Sequence, residues 1–245
     1  MFEDYVKLKK ERYKNYYIYY FLDKYAELSK NIIDRKVKTE LILKETKRNY
    51  VSIISDNNKK YVFKEPRNEY RIIQRKLMTF FKKGEVLTTL ININNLIDCK
   101  KINNYSRPLA AIVQRKNGMI NYSALIMENI TEDKQEEKDI KKIIELMKKI
   151  HHLGFYHGDF NLSNFLVDEN KNIRIIDTQG KKMIFGNYRA HYDMLTMKMD
   201  TYRNMIYPYK KNIFYYMALG LKKFKRLSFV KEIKEIRKNL RNKKK

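Results

Sequence analysis

The stretch His157-Gly-Asp-Phe-Asn-Leu-Ser-Asn164, followed by Asn172-Ile-Arg-Ile-Ile-Asp177, places polar residues in otherwise apolar surroundings. Asn164 lies five positions after Asp159, and Asp177 lies thirteen positions after Asn164. Phosphoryl transfer needs magnesium held by hard oxygen ligands and a carboxylate aimed at the attacking hydroxyl. Asp159, Asn164 and Asp177 have side chains suited to that chemistry, so they are candidate catalytic and metal-binding residues.

Short runs of β-branched and aromatic residues upstream predict a small antiparallel sheet. Asp56-Asn57-Asn58 and Asn117-Gly118 are turn sequences that would join neighbouring strands as hairpins. The predicted strands occupy residues 40–44, 50–54, 60–64, 109–113 and 123–127.

Helical spacing of apolar residues predicts helices over 15–34 and over 71–90, the second interrupted at Gly84. The clearest helix follows Asp133, which forms a capping-box-like pair with Glu136. This helix carries an apolar stripe and ends at Gly154, and a further helical pattern runs from Asp193 to the end of the chain. The stripe consists of Ile140, Ile143, Ile144, Met147 and Ile150.

The amino-acid composition limits the classes of protein to which this chain can belong. The chain has 245 residues, and 54 Lys+Arg against 28 Asp+Glu give a net charge of +26, which indicates an anionic partner or surface. An AT-rich genome is the alternative source of much of this charge. Glycines at dinucleotide or P-loop spacing are absent, and the single Cys99 excludes a disulfide framework and favours the cytosol. The sequence predicts neither a signal peptide nor a transmembrane helix.

The basic residues are concentrated at the end of the chain. Residues 221–245 contain 12 Lys/Arg against Glu232 and Glu235, a composition typical of a segment that lies on an anionic bilayer. Packing against the rest of the chain is the alternative for its apolar stripe, and no specific nucleic-acid binding is expected. The stripe consists of Phe229, Val230, Ile233, Ile236 and Leu240.

Residues 157–164 resemble the catalytic loop of the protein-kinase-like superfamily, and Ile176-Asp-Thr-Gln-Gly180 resembles its metal-binding segment. Tyr61-Val-Phe-Lys64 is similar to the strand that carries the nucleotide lysine, and Met127-Glu-Asn-Ile130 is similar to the hinge. Three further motifs resemble those of the lipopolysaccharide core heptose(II) kinase family. They are Phe81-x-Lys-Gly84, His151-x-x-Gly154 and Arg174-Ile-Ile-Asp-x-x-Gly-Lys-Lys182.

The resemblance implies an α+β, two-lobed protein-kinase-like fold. Residues 1–130 would form an N-terminal helix and a small antiparallel-sheet N-lobe ending in the hinge, and residues 131–245 a mainly helical C-lobe with a basic tail. The implied activity is transfer of the γ-phosphate of ATP, with Mg²⁺, to a heptose hydroxyl of a lipid-anchored inner-core oligosaccharide. The enzyme would work in the cytoplasm, peripheral to the inner face of the cytoplasmic membrane. An aminoglycoside/choline-type kinase, a protein kinase and an inactive kinase-like scaffold are the alternatives.

The resemblance also assigns roles to the candidate residues. Asp159 would accept or orient the proton of the sugar hydroxyl, Asp177 and Asn164 would bind metal, and Lys64 would contact the α- and β-phosphates. Asp193 is the candidate for a helix aspartate that hydrogen-bonds the catalytic-loop backbone, and His157 is expected to orient that backbone.

Two further assignments concern the nucleotide. Glu128 and Ile130 would bind adenine through their backbone groups. Glu85 is the candidate ion-pair partner of Lys64, with Glu69 as the alternative.

The sequence departs from the family pattern at two places. The turn Glu45-Thr-Lys-Arg-Asn-Tyr50 lacks glycine, so Lys47 or Arg48 would supply charge to the phosphates instead of backbone amides. Gly158 stands where many protein kinases have an arginine that docks a phosphorylated activation loop, so we expect constitutive activity.

Overall fold

The computed structural model describes residues 7–133 and 136–227. These residues form an α+β structure with seven α-helices and a main antiparallel sheet of seven strands. The chain divides into two compact units: unit 1 comprises residues 1–135 and 166–180, and unit 2 comprises residues 136–165 and 181–245.

The main sheet lies in unit 1 and has the strand order β1-β2-β6-β7-β5-β4-β3. Each of the five predicted strands is confirmed, because runs of β-branched and aromatic residues beside turn sequences favour hairpins through neighbouring residues. Asn57 and Asn58, and likewise Asn117 and Gly118, have positive φ in the two tight turns. The strands are β1 Lys9–Tyr13, β2 Tyr16–Tyr20, β3 Lys38–Glu45, β4 Tyr50–Asp56, β5 Lys59–Glu65, β6 Pro108–Lys116 and β7 Met119–Glu128.

Five shorter strands complete the β-structure. Three of them form a small sheet in the order β11-β10-β8, and β12 pairs with β9. They are β8 Glu132–Asp133, β9 Phe155–Tyr156, β10 Phe165–Asp168, β11 Ile173–Ile175 and β12 Lys181–Lys182.

The helices divide between the units, four in unit 1 and three in unit 2. The predicted interruption at Gly84 is confirmed, because Gly84 precedes the long helix of unit 1 as its N-cap. The helices are α1 Lys24–Ile33, α2 Asn68–Arg71, α3 Ile73–Met78, α4 Glu85–Asp98, α5 Glu137–His152, α6 Tyr188–Thr196 and α7 Ile213–Arg226.

Residues 108–113 of β6 are buried on both faces of the strand, which explains their unbroken apolar sequence. Ala110 and Ile112 belong to the apolar cluster that also contains α1 residues, whereas Ala111 and Val113 belong to the cluster of α4 residues. Because successive side chains of a strand point to opposite faces, one helix covers each side of the sheet.

The predicted helix over residues 15–34 is wrong in its first nine residues. Residues 16–20 form β2, which pairs with β1 and β6, and the helix begins only at Lys24. Ile18 and Tyr20 are buried at alternate positions. The tyrosines favour a strand because aromatic side chains pack well on a pleated surface.

Unit 2 is built on α5, whose Ile143, Met147 and Ile150 are fully buried, as the stripe predicted. Its capping box differs from the prediction. Glu136 is the N-cap and Asp139 the third helical residue, because this pair satisfies backbone donors at the helix start itself, whereas Asp133 lies in β8. The backbone amide of Glu136 lowers the pKa of Asp139 by hydrogen bonding to its carboxylate.

The helical pattern predicted from Asp193 onward is only partly confirmed. Helix α6 already begins at Tyr188, and after a π-helical turn at Met197–Thr201 the chain leaves helix until α7. Pro208 lies in this gap, and proline lacks the backbone donor that a helix interior needs. The stripe at 229–240 and the end of the tail lie outside the described residues. No helix of the described part of the chain has the length and hydropathy to cross a bilayer.

Candidate active site

In unit 1, Lys64 and Asp177 form an ion pair although they are separated by 113 positions in sequence. Lys64 is held on β5, opposite Val51 of β4 and Leu125 of β7. Asp177 follows β11 with a φ of +55°, a left-handed conformation that aspartate tolerates better than most residues. The main sheet and the loop after β11 therefore bring a cation and a carboxylate together.

The segment after Asp177 is fastened to α4. The side-chain amide of Asn92 donates a 3.0 Å hydrogen bond to the carbonyl of Gln179. Gly180 has a φ of +56°, and a Cβ there would lie 2.8 Å from the terminal methyl groups of Ile93 and Leu96. Only glycine allows this close approach, so the position of Asp177 depends on the packing of this segment against α4.

The two candidate glutamates occupy different surroundings. Glu85 begins α4 and lines a cleft with Lys64 and Asp177. Glu69 is buried, where its carboxylate accepts a 2.6 Å hydrogen bond from the Ser123 hydroxyl and another from the backbone N–H of Glu85. Burial raises the pKa of Glu69. Glu69 therefore caps the start of α4, and Glu85 is the glutamate of the two that faces the cleft.

The hinge-like segment lies at the end of β7. Glu128 pairs with Tyr61 of β5 in register, and its backbone N–H donates a 3.0 Å hydrogen bond to the carbonyl of Arg107. Its carboxylate binds Arg174 and accepts a hydrogen bond from the backbone N–H of Arg107. These contacts fix the end of β7. Ile130 follows two residues later and is half-buried.

The turn between β3 and β4 closes on the hydroxyl of Thr46. This oxygen accepts hydrogen bonds from the backbone amides of Arg48 and Asn49 at 3.2 and 3.0 Å. The amides are thereby used inside the turn, whereas the side chains of Lys47 and Arg48 are exposed. This end of the sheet thus offers cationic side chains.

In unit 2, the loop after β9 carries Asp159 and Asn164. The amide nitrogen of Asn164 donates a 2.8 Å hydrogen bond to the main-chain carbonyl of Asp159, which leaves its amide oxygen as the atom that can ligate a cation. The exposed carboxylate of Asp159 accepts a hydrogen bond from the side-chain amide of Asn161. Thr201 in turn donates a 3.1 Å hydrogen bond to the amide oxygen of Asn161.

Asp193 of α6 accepts hydrogen bonds from the backbone at the start of this loop, as predicted. Its fully buried carboxylate accepts hydrogen bonds from the backbone amides of His157 at 2.7 Å and Gly158 at 3.0 Å. The same carboxylate lies 3.2 Å from Nε2 of His151. His157 also orients the backbone, since its Nδ1 accepts a 3.3 Å hydrogen bond from the N–H of Asp159. The roles expected for Asp193 and His157 are thus confirmed.

Sequence reasoning did not single out Asn161 or Thr201. Asn161 lies inside the quoted motif, two positions after Asp159, so its proximity was readable. Thr201 lies 40 positions further on, at the end of the π-helical turn, and only the fold brings it to Asn161.

Each of the two candidate metal ligands carries an oxygen atom that suits a hard cation. Asp177 offers a carboxylate in unit 1 and Asn164 an amide oxygen in unit 2. Within the described ranges, no three His, Cys, Asp or Glu side chains form a metal cluster. Magnesium is usually bound by one or two carboxylates together with water and substrate phosphates, so such a cluster is not required.

Comparison with known proteins agrees with this chemistry. The model of the lipopolysaccharide kinase (Kdo/WaaP) family matches residues 104–199, which contain the loop of Asp159 and the segment of Asp177. The chain is 26% identical over 186 residues to the lipopolysaccharide core heptose(II) kinase WaaY of Escherichia coli, an alignment that covers 69% of this chain and 76% of the relative.

These similarities identify a phosphotransferase, and the chain is a kinase that uses ATP. The chain is thus similar to the lipopolysaccharide kinases.

Proposed function

We propose that the chain transfers the γ-phosphate of ATP to a heptose hydroxyl of the lipopolysaccharide inner core. The relative WaaY is named as a core heptose(II) kinase, and the motifs shared with that family support the same acceptor class. The observation that carries the proposal is the pairing of Lys64 with Asp177 over 113 positions of sequence. Such a pair next to α4 provides one cationic and one metal-binding group for a nucleotide.

The nucleotide half of the proposed site is unit 1. Lys64 would contact the α- and β-phosphates, Glu85 would form an ion pair with Lys64, and Asp177 would hold Mg²⁺. Lys47 and Arg48 add positive charge near the phosphates. The backbone groups of Glu128 and Ile130 bind adenine. Bound magnesium supplies neutralisation of charge on the phosphate oxygens.

The acceptor half of the proposed site is unit 2. Asp159 accepts or orients the proton of the attacking hydroxyl, and Asn164 offers the second metal ligand. We further propose that the two units correspond to the two lobes of a kinase-like enzyme. The acceptor is anchored in a lipid, so we place the enzyme at the inner surface of the cytoplasmic membrane, with the basic C-terminus contributing to attachment.

The test is phosphate transfer from ATP to purified heptose-containing core glycolipid, followed by mass spectrometry of the product. Asp159→Ala should lower turnover by about 10²-fold or more while ATP affinity stays within about twofold. Asp177→Asn should instead raise the magnesium concentration needed for half-maximal rate. Asp23→Asn, an exposed aspartate in the same chain, is the matched control.

Two results would overturn the assignments separately. Turnover of the Asp159→Ala variant within about tenfold of the parent would remove the general-base role. Unchanged magnesium dependence of Asp177→Asn would remove the ligand role. A comparison of glycoforms from cells with and without the protein identifies the acceptor independently of both variants.

A further inference from the structure

Residues 71–83, here called the 71–83 segment, carry exposed apolar side chains, and all of their charged side chains are basic. The segment contains α3 and the turn before α4, with five Lys or Arg residues and no Asp or Glu. Five large apolar side chains are exposed in it, with Phe81 at 81% and Ile73 at 78% exposure. The exposed apolar residues are Ile73, Leu77, Met78, Phe80 and Phe81.

The exposure is built into the fold, because the backbone of the segment is clamped to the β6–β7 hairpin. The guanidinium of Arg115 donates hydrogen bonds to the carbonyls of Thr79, Lys82 and Lys83 at 2.8, 3.0 and 3.3 Å, and to that of Gly118 at 2.6 Å. The buried hydroxyl of Thr79 accepts a 2.8 Å hydrogen bond from the N–H of Ile120. A rigid support therefore presents the apolar side chains to solvent.

The rings of the segment are ordered on this support. Phe80 lies over Gly118, where an added Cβ would come within 2.7 Å of its ring, and Phe81 packs edge-to-face against Phe80 at 5.2 Å between centroids. Ile73 and Leu77 are four residues apart and share one face of α3. Basic residues precede, separate and follow these apolar side chains in sequence. They are Arg71, Arg75, Lys76, Lys82 and Lys83.

We propose that the 71–83 segment is a membrane-docking surface that inserts its apolar side chains among the acyl chains of an anionic phospholipid bilayer. Exposed apolar side chains bordered by cations are suited to the boundary between headgroups and acyl chains, where lysine and arginine meet lipid phosphates. The absence of any carboxylate within the segment makes its charge complementary to such a surface. This inference rests on the proposed function, because membrane docking of the segment would bring unit 1 to a lipid-anchored acceptor.

The first experiment uses the fact that the chain contains no tryptophan. A Phe81→Trp substitution in the full chain gives a single probe at the segment, and Ile206→Trp gives one at a similarly exposed site in unit 2. With vesicles of phosphatidylcholine and phosphatidylglycerol, the emission of the Phe81→Trp protein should shift to the blue and be quenched by brominated acyl chains. The Ile206→Trp protein should show neither change, and an unshifted, unquenched Phe81→Trp probe would overturn the proposal.

The second experiment separates position from total charge by vesicle sedimentation. The triple variant Arg75→Gln/Lys82→Gln/Lys83→Gln should partition on the order of 100-fold less into anionic vesicles at low salt. The control Lys59→Gln/Lys100→Gln/Lys141→Gln removes the same charge at exposed sites elsewhere and should bind clearly better than the segment variant. Equal losses in the two variants would mean that net charge alone drives binding and would contradict the proposal.

The third experiment tests the apolar contribution. Ile73→Ser/Leu77→Ser/Phe81→Ser should lower partitioning about tenfold or more, whereas Ile184→Ser/Ile206→Ser/Ile213→Ser, at similarly exposed sites, should leave it within about twofold. A concentration-dependent dimer that the segment variant abolishes, without vesicle binding, would assign the surface to a second copy and overturn the proposal. Transfer of phosphate to a deacylated, water-soluble core oligosaccharide tests the proposed function without a membrane.

Discussion

The side-chain amide of Asn161 donates a hydrogen bond to the carboxylate of Asp159, two positions earlier in the same loop. Thr201 fixes that amide by donating a hydrogen bond to its oxygen, so the orientation of Asp159 depends on a residue of the π-helical turn. Asn161 is therefore a positioning residue for the proposed base.

Asn161→Ala should lower kcat by about tenfold with little change in the KM for ATP, because a loosened carboxylate spends less time aligned with the acceptor hydroxyl. Thr201→Val should have a smaller effect in the same direction, of about threefold, since Asn161 remains. Steady-state kinetics of the double variant provide the check. If Thr201 acts through Asn161, the double variant should lose less activity than the product of the two single losses. A fully multiplicative loss would show that the two residues act independently.

Asp193→Ala should lower the free energy of unfolding by about 3 kcal/mol, because two backbone amides and His151 lose a charged hydrogen-bond acceptor in a buried place. Urea unfolding measures the loss, and Asp23→Ala controls for removal of an exposed carboxylate. Asp193→Asn should restore only part of the stability, since an amide has a single acceptor oxygen for two loop donors. Full stability of Asp193→Ala would show that the loop does not need this support.

Gly180→Ala and Gly154→Ala form a matched pair that separates backbone strain from close approach. Both glycines have positive φ, but a Cβ at residue 154 would meet nothing within 4 Å, whereas one at residue 180 would clash with Ile93 and Leu96. Gly180→Ala should therefore be more destabilising by about 1–3 kcal/mol and should weaken ATP binding through displacement of Asp177. Thermal unfolding and nucleotide titration of the two variants test this, and equal stabilities would refute the packing argument.

The pH dependence of stability should change in the Glu69→Gln variant. Burial raises the pKa of Glu69, so the folded protein holds this proton more tightly than the unfolded chain. The associated stability is fully present below the unfolded pKa and is lost as the pH rises through the folded pKa. Glu69→Gln should thus lose less stability as the pH rises above about 4, measured by urea unfolding. Glu27→Gln, at an exposed position of α1, should keep the parental slope.

Local signals predicted much of this structure. Asn117-Gly118 and the apolar runs beside it identify the β6–β7 hairpin from neighbouring residues alone, and the stripe of α5 identifies its buried face. The link between Asp193 and the catalytic loop was also predictable, because the family pattern places an aspartate there.

Other features depend on distant partners. Residues 16–20 satisfy helical spacing and strand propensity about equally, and pairing with β6 decides in favour of the strand. The partner of Lys64 in this structure is Asp177, and Glu69 is held by Ser123, both contacts made across more than 50 positions. The exposure of Phe81 likewise follows from the clamp by Arg115, which no pattern within residues 71–83 reveals.

The hydroxyl of Thr46 ties up the amides of its own turn, and this has an evolutionary consequence. Backbone donors persist through almost every substitution, whereas a cationic side chain disappears with one altered codon. Binding of an anion at this end of the sheet would depend on the side chains of Lys47 and Arg48. Natural selection on these two positions, rather than the geometry of the peptide backbone, would have to preserve that binding.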